Sequence, residues 1–404
     1  MNDSRIERYL KNMKEIQEIF LAYLDEFYEA NDFYNNITTN HQIIKYKTDK
    51  DKFCSILILL VKISNNYHRT PDFFTKIDRI LDFFKNDIKQ TFSNTEIFQI
   101  FKSNKRLLFY IIKEDIIIVD KNIAQKIYNI ESYHEYFYPE IKNFINEKQR
   151  EEILKKLDEN WEEEFDKKRK EGENDEFICK LIRNDSVEEF IALYNKLNYS
   201  PNKKIKKSIF ETNDFLQYSF NTLVEYSAFF GSFEIFAFLY MNGVELAPSI
   251  WLYAIHGKNS SLIHFLEENQ IEPKSYSECF FESMKCHHND LANYFLINQL
   301  NDEVLKEFIK EYKKRSNTGF YRYKKNSFIE FFEYYNFAYI TTDVDIQLAF
   351  WCSCKFNYLF IAKTLLENQK ININEPFIYL RQEDNYEHKI WYKNTPFNAA
   401  IENE

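Results

Sequence analysis

A pattern that recurs along the chain constrains its fold more than any single residue does. When SAFFGSFEIFAFLYMNG (residues 227–243) is set above YAIHGKNSSLIHFLEEN (residues 253–269), Ala228 falls over Ala254, Gly231 over Gly257, Phe236 over Leu262, Leu239 over Phe265 and Tyr240 over Leu266, at a constant offset of 26. A third copy, ESMKCHHNDLANYFLIN, follows 29 residues on with Ser283, Cys286, Leu291, Tyr294 and Phe295. A fourth carries Cys354, Asn357, Ala362, Leu365 and Leu366, and an earlier one carries Asp185, Phe190, Leu193 and Tyr194. Each copy has one plan. A small residue (Ala228, Ala254, Ser283 or Cys354) sits in a short helix where a neighbour must come close, a turn follows, and a second helix places apolar residues at steps of three and four. Gly231 and Gly243 are expected to close the two helices of one copy, because a helix C-terminus commonly turns through a left-handed conformation that glycine adopts without strain. One such pair cannot bury its apolar flank alone, so successive pairs must stack.

The rest of the chain also reads as helical. Five glycines and seven prolines in 404 residues are too few for a fold rich in tight turns. Leu10, Met13, Ile16, Phe20, Tyr23 and Phe27 form one apolar stripe, and Phe73, Ile77, Ile80, Leu81, Phe84 and Ile88 form another. FCSILILLVKI is apolar on every side, as in the centre of a bundle. Capping-box spacings occur at Ser93 with Glu96, Ser132 with Glu135, Ser186 with Glu189, Ser275 with Glu278 and Ser327 with Glu330. Residues 158–176 are a mixed charge run, expected to be a solvated linker or helix end. The expectation is an all-α chain: a helical N-terminal domain over 1–157, a charged linker over 158–176, and a repeat region over 177–404.

The repeat resembles the ankyrin family. In SAFFGSFEIFAFLYMNG, alanine precedes a glycine, an E-I-V-like triplet follows, and a leucine-bearing helix leads to a second glycine. The closing NTPFNAAIENE is similar to the ankyrin opening T-P-L-H-x-A-A, with Thr395, Pro396, Phe397, Asn398, Ala400 and Ile401 in matching places. IAKTLLENQKININ is similar to the second helix and the run into the next repeat. The resemblance covers about 177–404 and looks like the divergent ankyrin proteins expanded in protists; it implies a degenerate α-solenoid that binds another protein. Spacings of 26 and 29 fall short of the usual ~33. Residues 244–249 leave room for little more than a turn, so the projecting hairpin finger is expected to be missing there. Ending at Glu404, inside a first helix, suggests a fragment or an apolar edge covered by a partner. Outward positions of the first helices, Tyr226, Phe230, Leu252, His256, Phe281 and Lys285, are the expected partner-binding surface.

Chemistry is sparse by comparison. A net charge of -10 opposes phosphate backbones except at a local basic face. Two such faces exist, residues 202–208 and the basic, aromatic segment 312–326; the second supports an alternative reading as a helical-repeat RNA binder through Lys313, Lys314, Arg315 and Arg322. GKNS at 257–260 resembles a phosphate loop, but that motif needs glycine where Leu252 stands. No nucleophile elbow, dinucleotide turn or zincin helix occurs, so no enzyme and no cofactor is expected. Cys279, Cys286, His287 and His288 lack the C-x2-4-C pairing of structural zinc sites, so no metal is expected. Six scattered cysteines, a polar start and an apolar run of only six residues, ILILLV, against the roughly 20 of a membrane span, point to a cytoplasmic protein without membrane insertion.

Overall fold

The computed structural model describes residues 3–25, 30–157, 161–217, 221–300, 322–323, 329–340, 346–367, 371–374, 377–382 and 389–401. These are predominantly helical. In chain order the helices are α1 (Ser4–Leu24), α2 (Ala30–Thr39), α3 (His41–Lys47), α4 (Lys50–Asn66), α5 (Phe73–Thr91), α6 (Asn94–Phe101), α7 (Lys105–Lys113), α8 (Lys121–Tyr128), α9 (Tyr138–Ile141), α10 (Glu147–Leu154), α11 (Phe165–Glu171) and α12 (Phe177–Arg183). They continue as α13 (Val187–Lys196), α14 (Asp214–Gln217), α15 (Leu223–Phe229), α16 (Phe233–Met241), α17 (Ile250–Gly257), α18 (Ser260–Glu268), α19 (Tyr276–Lys285), α20 (Asn289–Asn298), α21 (Ile329–Glu333), α22 (Ile346–Lys355), α23 (Leu359–Leu366) and α24 (Pro396–Ile401). A small sheet accompanies them: β1 (Arg322–Tyr323) runs parallel to β2 (Phe377–Gln382), which pairs antiparallel with β3 (Lys389–Asn394) so that Phe377 faces Asn394. The segments FIYLRQ and KIWYKN are rich in aromatic and β-branched residues, which suits a pleated surface better than a helix. No described helix is long and apolar enough to cross a membrane.

Contacts divide the chain into two units, one of residues 1–62 with 274–404 and one of 63–273. In the first, the α1 stripe of Leu10, Met13, Ile16, Phe20 and Tyr23 is buried as its period requires, while Phe27 lies outside the described residues. α1 packs on α23, and the buried Gln17 reads the backbone of a distant segment: its amide donates to Asn336 Oδ1 at 2.8 Å and its carbonyl accepts from Phe337 N at 2.7 Å. Asn336 in turn donates to Met284 O at 2.9 Å and Asn289 Oδ1 at 2.8 Å. The chain start is therefore part of one body with its last third, an arrangement that local periodicity does not encode.

In the second unit, residues 161–176 are built into the packing rather than left as a linker. Arg169 is fully buried, with its guanidinium bonded to Glu140 at 2.8 and 3.0 Å, to Asp166, and to the Tyr136 carbonyl at 3.0 Å. Its plane lies 4.3 Å from the Phe109 ring centroid and 4.9 Å from that of Phe165. A charged composition hides this because a guanidinium on aromatic faces, paired with carboxylates, can be buried when an isolated charge cannot. Gly172, at φ 71°, closes α11 where a Cβ would come within 2.9 Å of Phe74.

The recurring turn is visible in the backbone. Asp185, Gly231, Lys258, His287 and Asn357 all adopt positive φ, between 47° and 67°, and each separates the two helices of a pair: α12/α13, α15/α16, α17/α18, α19/α20 and α22/α23. In four of them the next amide reaches back to the same relative carbonyl: Ser186 to Leu181, Ser232 to Ser227, His288 to Ser283 and Tyr358 to Ser353, all at 2.9–3.0 Å. This is the six-to-one bond of a Schellman turn. Gly231 and Gly243 end α15 and α16 as expected, at φ 67° and 84°. The register differs from the sequence alignment by one residue in two copies. Gly257 and Cys286 are not the left-handed residues; Lys258 and His287 are. The small position is accordingly Ser227, Ala254, Ser283 and Ser353, with Ala228 and Cys354 one place later.

Within the second unit α12 packs on α15, α15 on α17 and α13 on α16. Asp185 accepts from the Glu234 and Ile235 amides at 3.1 and 3.0 Å, so the turn of one pair caps α16 of the next, and Asn259 donates to Gly231 O at 2.8 Å. Residues 244–247, between α16 and α17, contain no strand. The α19/α20 pair belongs to the other unit. There α24 packs on α22, and Thr395 caps α24 by accepting from Asn398 N at 3.2 Å, with Pro396 at the first helical position.

Of the expected capping boxes, Ser93 with Glu96 is complete, and Ser275 keeps the half in which its hydroxyl accepts from Glu278 N. Ser186 makes no side-chain cap, Ser132 lies in a run of turns, and Ser327 lies outside the described residues. Thr222 with Glu225 and Asn146 with Gln149 form full boxes in addition.

Candidate functional site

The first-helix surface expected to receive a partner is not free. Tyr226 and His256 are each 1% exposed and Phe281 is 5% exposed. His256 lies between rings, 4.5 Å from Phe215 and 4.8 Å from Phe229, and Tyr226 Oη accepts from Arg183 at 3.1 Å. Phe230, Leu252 and Lys285 are half-buried, the last bonded to Glu282 at 2.9 Å. The physical reason is local. The 205–217 segment covers this side of α15 and α17, so positions that point away from a helix's own partner still meet protein. Segment 312–326 lies outside the described residues except for Arg322 and Tyr323 in β1. Lys203, Lys204, Lys206 and Lys207 are exposed on either side of buried Ile205, whose amide bonds to Asn221 O at 2.8 Å.

The exposed apolar residues lie elsewhere. On the second helices of the second unit, Met241 near the end of α16 is 77% exposed and Leu197, capping α13, is 48% exposed. Because α13 and α16 pack side by side, these two belong to successive members of the row.

Among the polar clefts that open in the second unit, two bring buried charged groups together. The first, about 480 Å³, is lined by Lys105, Glu211, Asn174, Asn221 and Tyr226 among others. Lys105 opens α7 and is buried, with its amine donating to Ile209 O at 2.9 Å and lying 5.2 Å from the Tyr136 ring centroid. Burial draws its pKa down to about 8. Glu211, also buried, accepts from Asn213 N at 3.0 Å and Asn174 N at 3.3 Å; burial first, and then the nearby Glu173 charge, push its pKa up to about 7. Both groups therefore exchange protons near neutrality, as groups do in sites that handle polar ligands.

The second cleft, about 360 Å³, gathers three arginines from distant parts of the sequence. Arg69, in the connection between α4 and α5, bonds Glu173 Oε1 at 2.7 Å and stacks 4.5 Å from the Phe74 ring centroid. Arg106, the second residue of α7, donates to Asp78 Oδ2 at 2.7 Å and to Lys170 O at 2.7 Å, with its guanidinium 5.0 Å from the same ring. Arg183 closes α12 and donates to Asn174 O at 2.8 Å as well as to Tyr226. No spacing rule links positions 69, 106 and 183, so no motif search could have joined them.

The six cysteines carry free thiols, five of them buried. Burial raises the Cys279 thiol to about 12 and Cys286 and Cys352 well above the usual value, which leaves them unreactive at neutral pH. Neither the family models nor the curated proteins nor the solved structures contain a match to this chain.

Proposed function

We propose that the chain is a non-catalytic protein-binding scaffold of the divergent ankyrin type, working in the cytoplasm. The observation that carries this reading is the row α12/α13, α15/α16, α17/α18, in which each pair repeats the left-handed turn and is tied to the next through Asp185 and Asn259. The order α22, α23, β-hairpin, α24 supports it too, since a helix pair followed by a hairpin and a new first helix is the ankyrin plan. A stacked row holds its outer side chains in place before a partner arrives, so association loses little chain entropy. The docking surface we assign is the outer end of the second helices around Leu197 and Met241, in place of the covered first-helix face.

The test compares proteins captured by the intact chain with those captured by a Leu197→Glu, Met241→Glu double variant whose circular dichroism and melting are unchanged. Loss of a specific partner from the variant supports the surface. An identical set on both, or no specific partner on the intact chain, counts against it.

A further inference from the structure

We propose that the cleft between Arg69, Arg106 and Arg183 binds a phosphate group, carried by a small molecule or by a phosphorylated side chain. Charge is the first argument. The chain as a whole is acidic, at -10, yet this cleft is lined by six basic residues against three acidic ones. Two of the acids already serve as partners, Glu173 to Arg69 and Asp78 to Arg106, at 2.7 Å each. Arg183, Lys170 and Lys180 line the same space, and among the described residues no carboxylate stands within ion-pairing distance of any of them. A concave surface with low-dielectric walls focuses such a field and draws in anions.

Preorganisation is the second argument. Arg69 and Arg106 are both buried and stacked on Phe74, and Arg183 is held by two neutral acceptors, Asn174 O and Tyr226 Oη. Guanidinium forks fixed in this way meet phosphate oxygens without first being ordered. Three cations outside any ion pair, set against the one remaining acid Glu171, leave a balance that calls for more than one negative charge, which favours a phosphate over a lone carboxylate. A volume of about 360 Å³ suits a phosphate with a small substituent, near the lower end of the roughly 300–1,000 Å³ of ligand pockets. The inference does not depend on the scaffold reading, because the cleft does not involve Leu197 or Met241.

The experiment is calorimetric titration of the full chain with pyrophosphate, inorganic phosphate, a phosphoserine peptide and its unphosphorylated counterpart, at low and high chloride. The expected result is saturable binding that weakens with salt, falls about tenfold or more in Arg183→Gln, Lys180→Gln, and survives in Arg183→Lys. Lys180→Gln alone, at an exposed position, keeps the result readable if the double variant unfolds. A Lys203→Gln, Lys204→Gln control, also exposed, is expected to bind as the parent does. Tighter binding of the phosphopeptide assigns the phosphate to a protein, and tighter binding of pyrophosphate assigns it to a small molecule. Absence of saturation by any phosphate ligand up to about 1 mM, or equal affinity in the Arg183 and Lys180 variants, overturns the proposal.

Discussion

Gly231 and Gly257 meet backbone to backbone where two successive helix pairs pack. A Cβ on Gly257 would fall 2.8 Å from Gly231 N and closer still to Ala228 O, and one on Gly231 would fall 2.9 Å from Gly257 O. Gly257 is helical, so Gly257→Ala would stabilise an isolated helix by about 1 kcal/mol. Here it is expected to destabilise by roughly 2–3 kcal/mol, because backbone and not a flexible side chain must move. Gly243→Ala is the comparison: its φ is 84° but nothing lies within 4 Å of the new methyl, so only the conformational cost of about 1–2 kcal/mol applies. Urea midpoints of the two variants would show the difference.

Asp185 joins two helix pairs by capping α16 across the row. Asp185→Gly keeps the left-handed conformation and removes the two bonds to Glu234 N and Ile235 N, and a loss of about 0.5–1.5 kcal/mol is expected. Hydrogen exchange should rise at Glu234 and Ile235 first. Exchange unchanged at those two amides would mean that the cap contributes nothing.

His287 is buried, and desolvation first, then the Lys62 charge, hold its pKa down to about 3. A base whose folded pKa lies below its unfolded value of 6.5 binds fewer protons when native. Its stability contribution is complete above pH 6.5 and declines as pH falls toward 3, at up to about 1.4 kcal/mol per pH unit. His287→Asn suits the left-handed position and removes the titration. Its unfolding free energy should be flatter than the parent's between pH 6 and pH 4 in a urea series.

Glu211 and Lys105 carry the opposite signatures. A carboxyl raised to about 7 stabilises fully below its unfolded value of 4.5 and loses that contribution as pH rises to 7. An amine lowered to about 8 stabilises fully above 10.5 and loses its contribution as pH falls to 8. Glu211→Gln keeps an acceptor oxygen for Asn213 N but sets its NH2 against Asn174 N, which bonds the other carboxylate oxygen at 3.3 Å, so the lost bond is a cost at every pH while the stability of the variant relative to the parent should rise from pH 4 to pH 8. Lys105→Met should gain at pH 7 and not at pH 11. Melting curves across pH check both signs.

Gln17 and Asn336 test whether the chain start belongs with the last third. Gln17→Ala leaves Phe337 N without its buried acceptor and takes one of two donors from Asn336 Oδ1, which keeps Ala338 N, and Asn336→Ala leaves the Gln17 amide nitrogen without its acceptor. Each is expected to cost about 1–3 kcal/mol, and the double variant less than their sum. Strict additivity would separate the two residues.

Short-range patterning determined a large part of this protein. The helical content, the buried faces of α1 and α5, the Ser93 box, and the two glycine-closed helices of residues 223–243 follow from apolar period and turn chemistry, which depend on neighbours a few residues apart. The repeat register was legible only to within a residue, because Lys258 and His287 adopt the left-handed turn without being glycine, while Gly257 is small for a different reason, the approach of Gly231. Only the tertiary structure decided the rest. It placed α1 with residues 274–404, buried Arg169 from within a charged run, covered Tyr226 and His256 with the 205–217 segment, and brought Arg69, Arg106 and Arg183 to one cleft. Those outcomes depend on which surfaces meet between segments that no helical period connects, and a side chain's burial and charge partners are set by that meeting and not by its place in the local pattern.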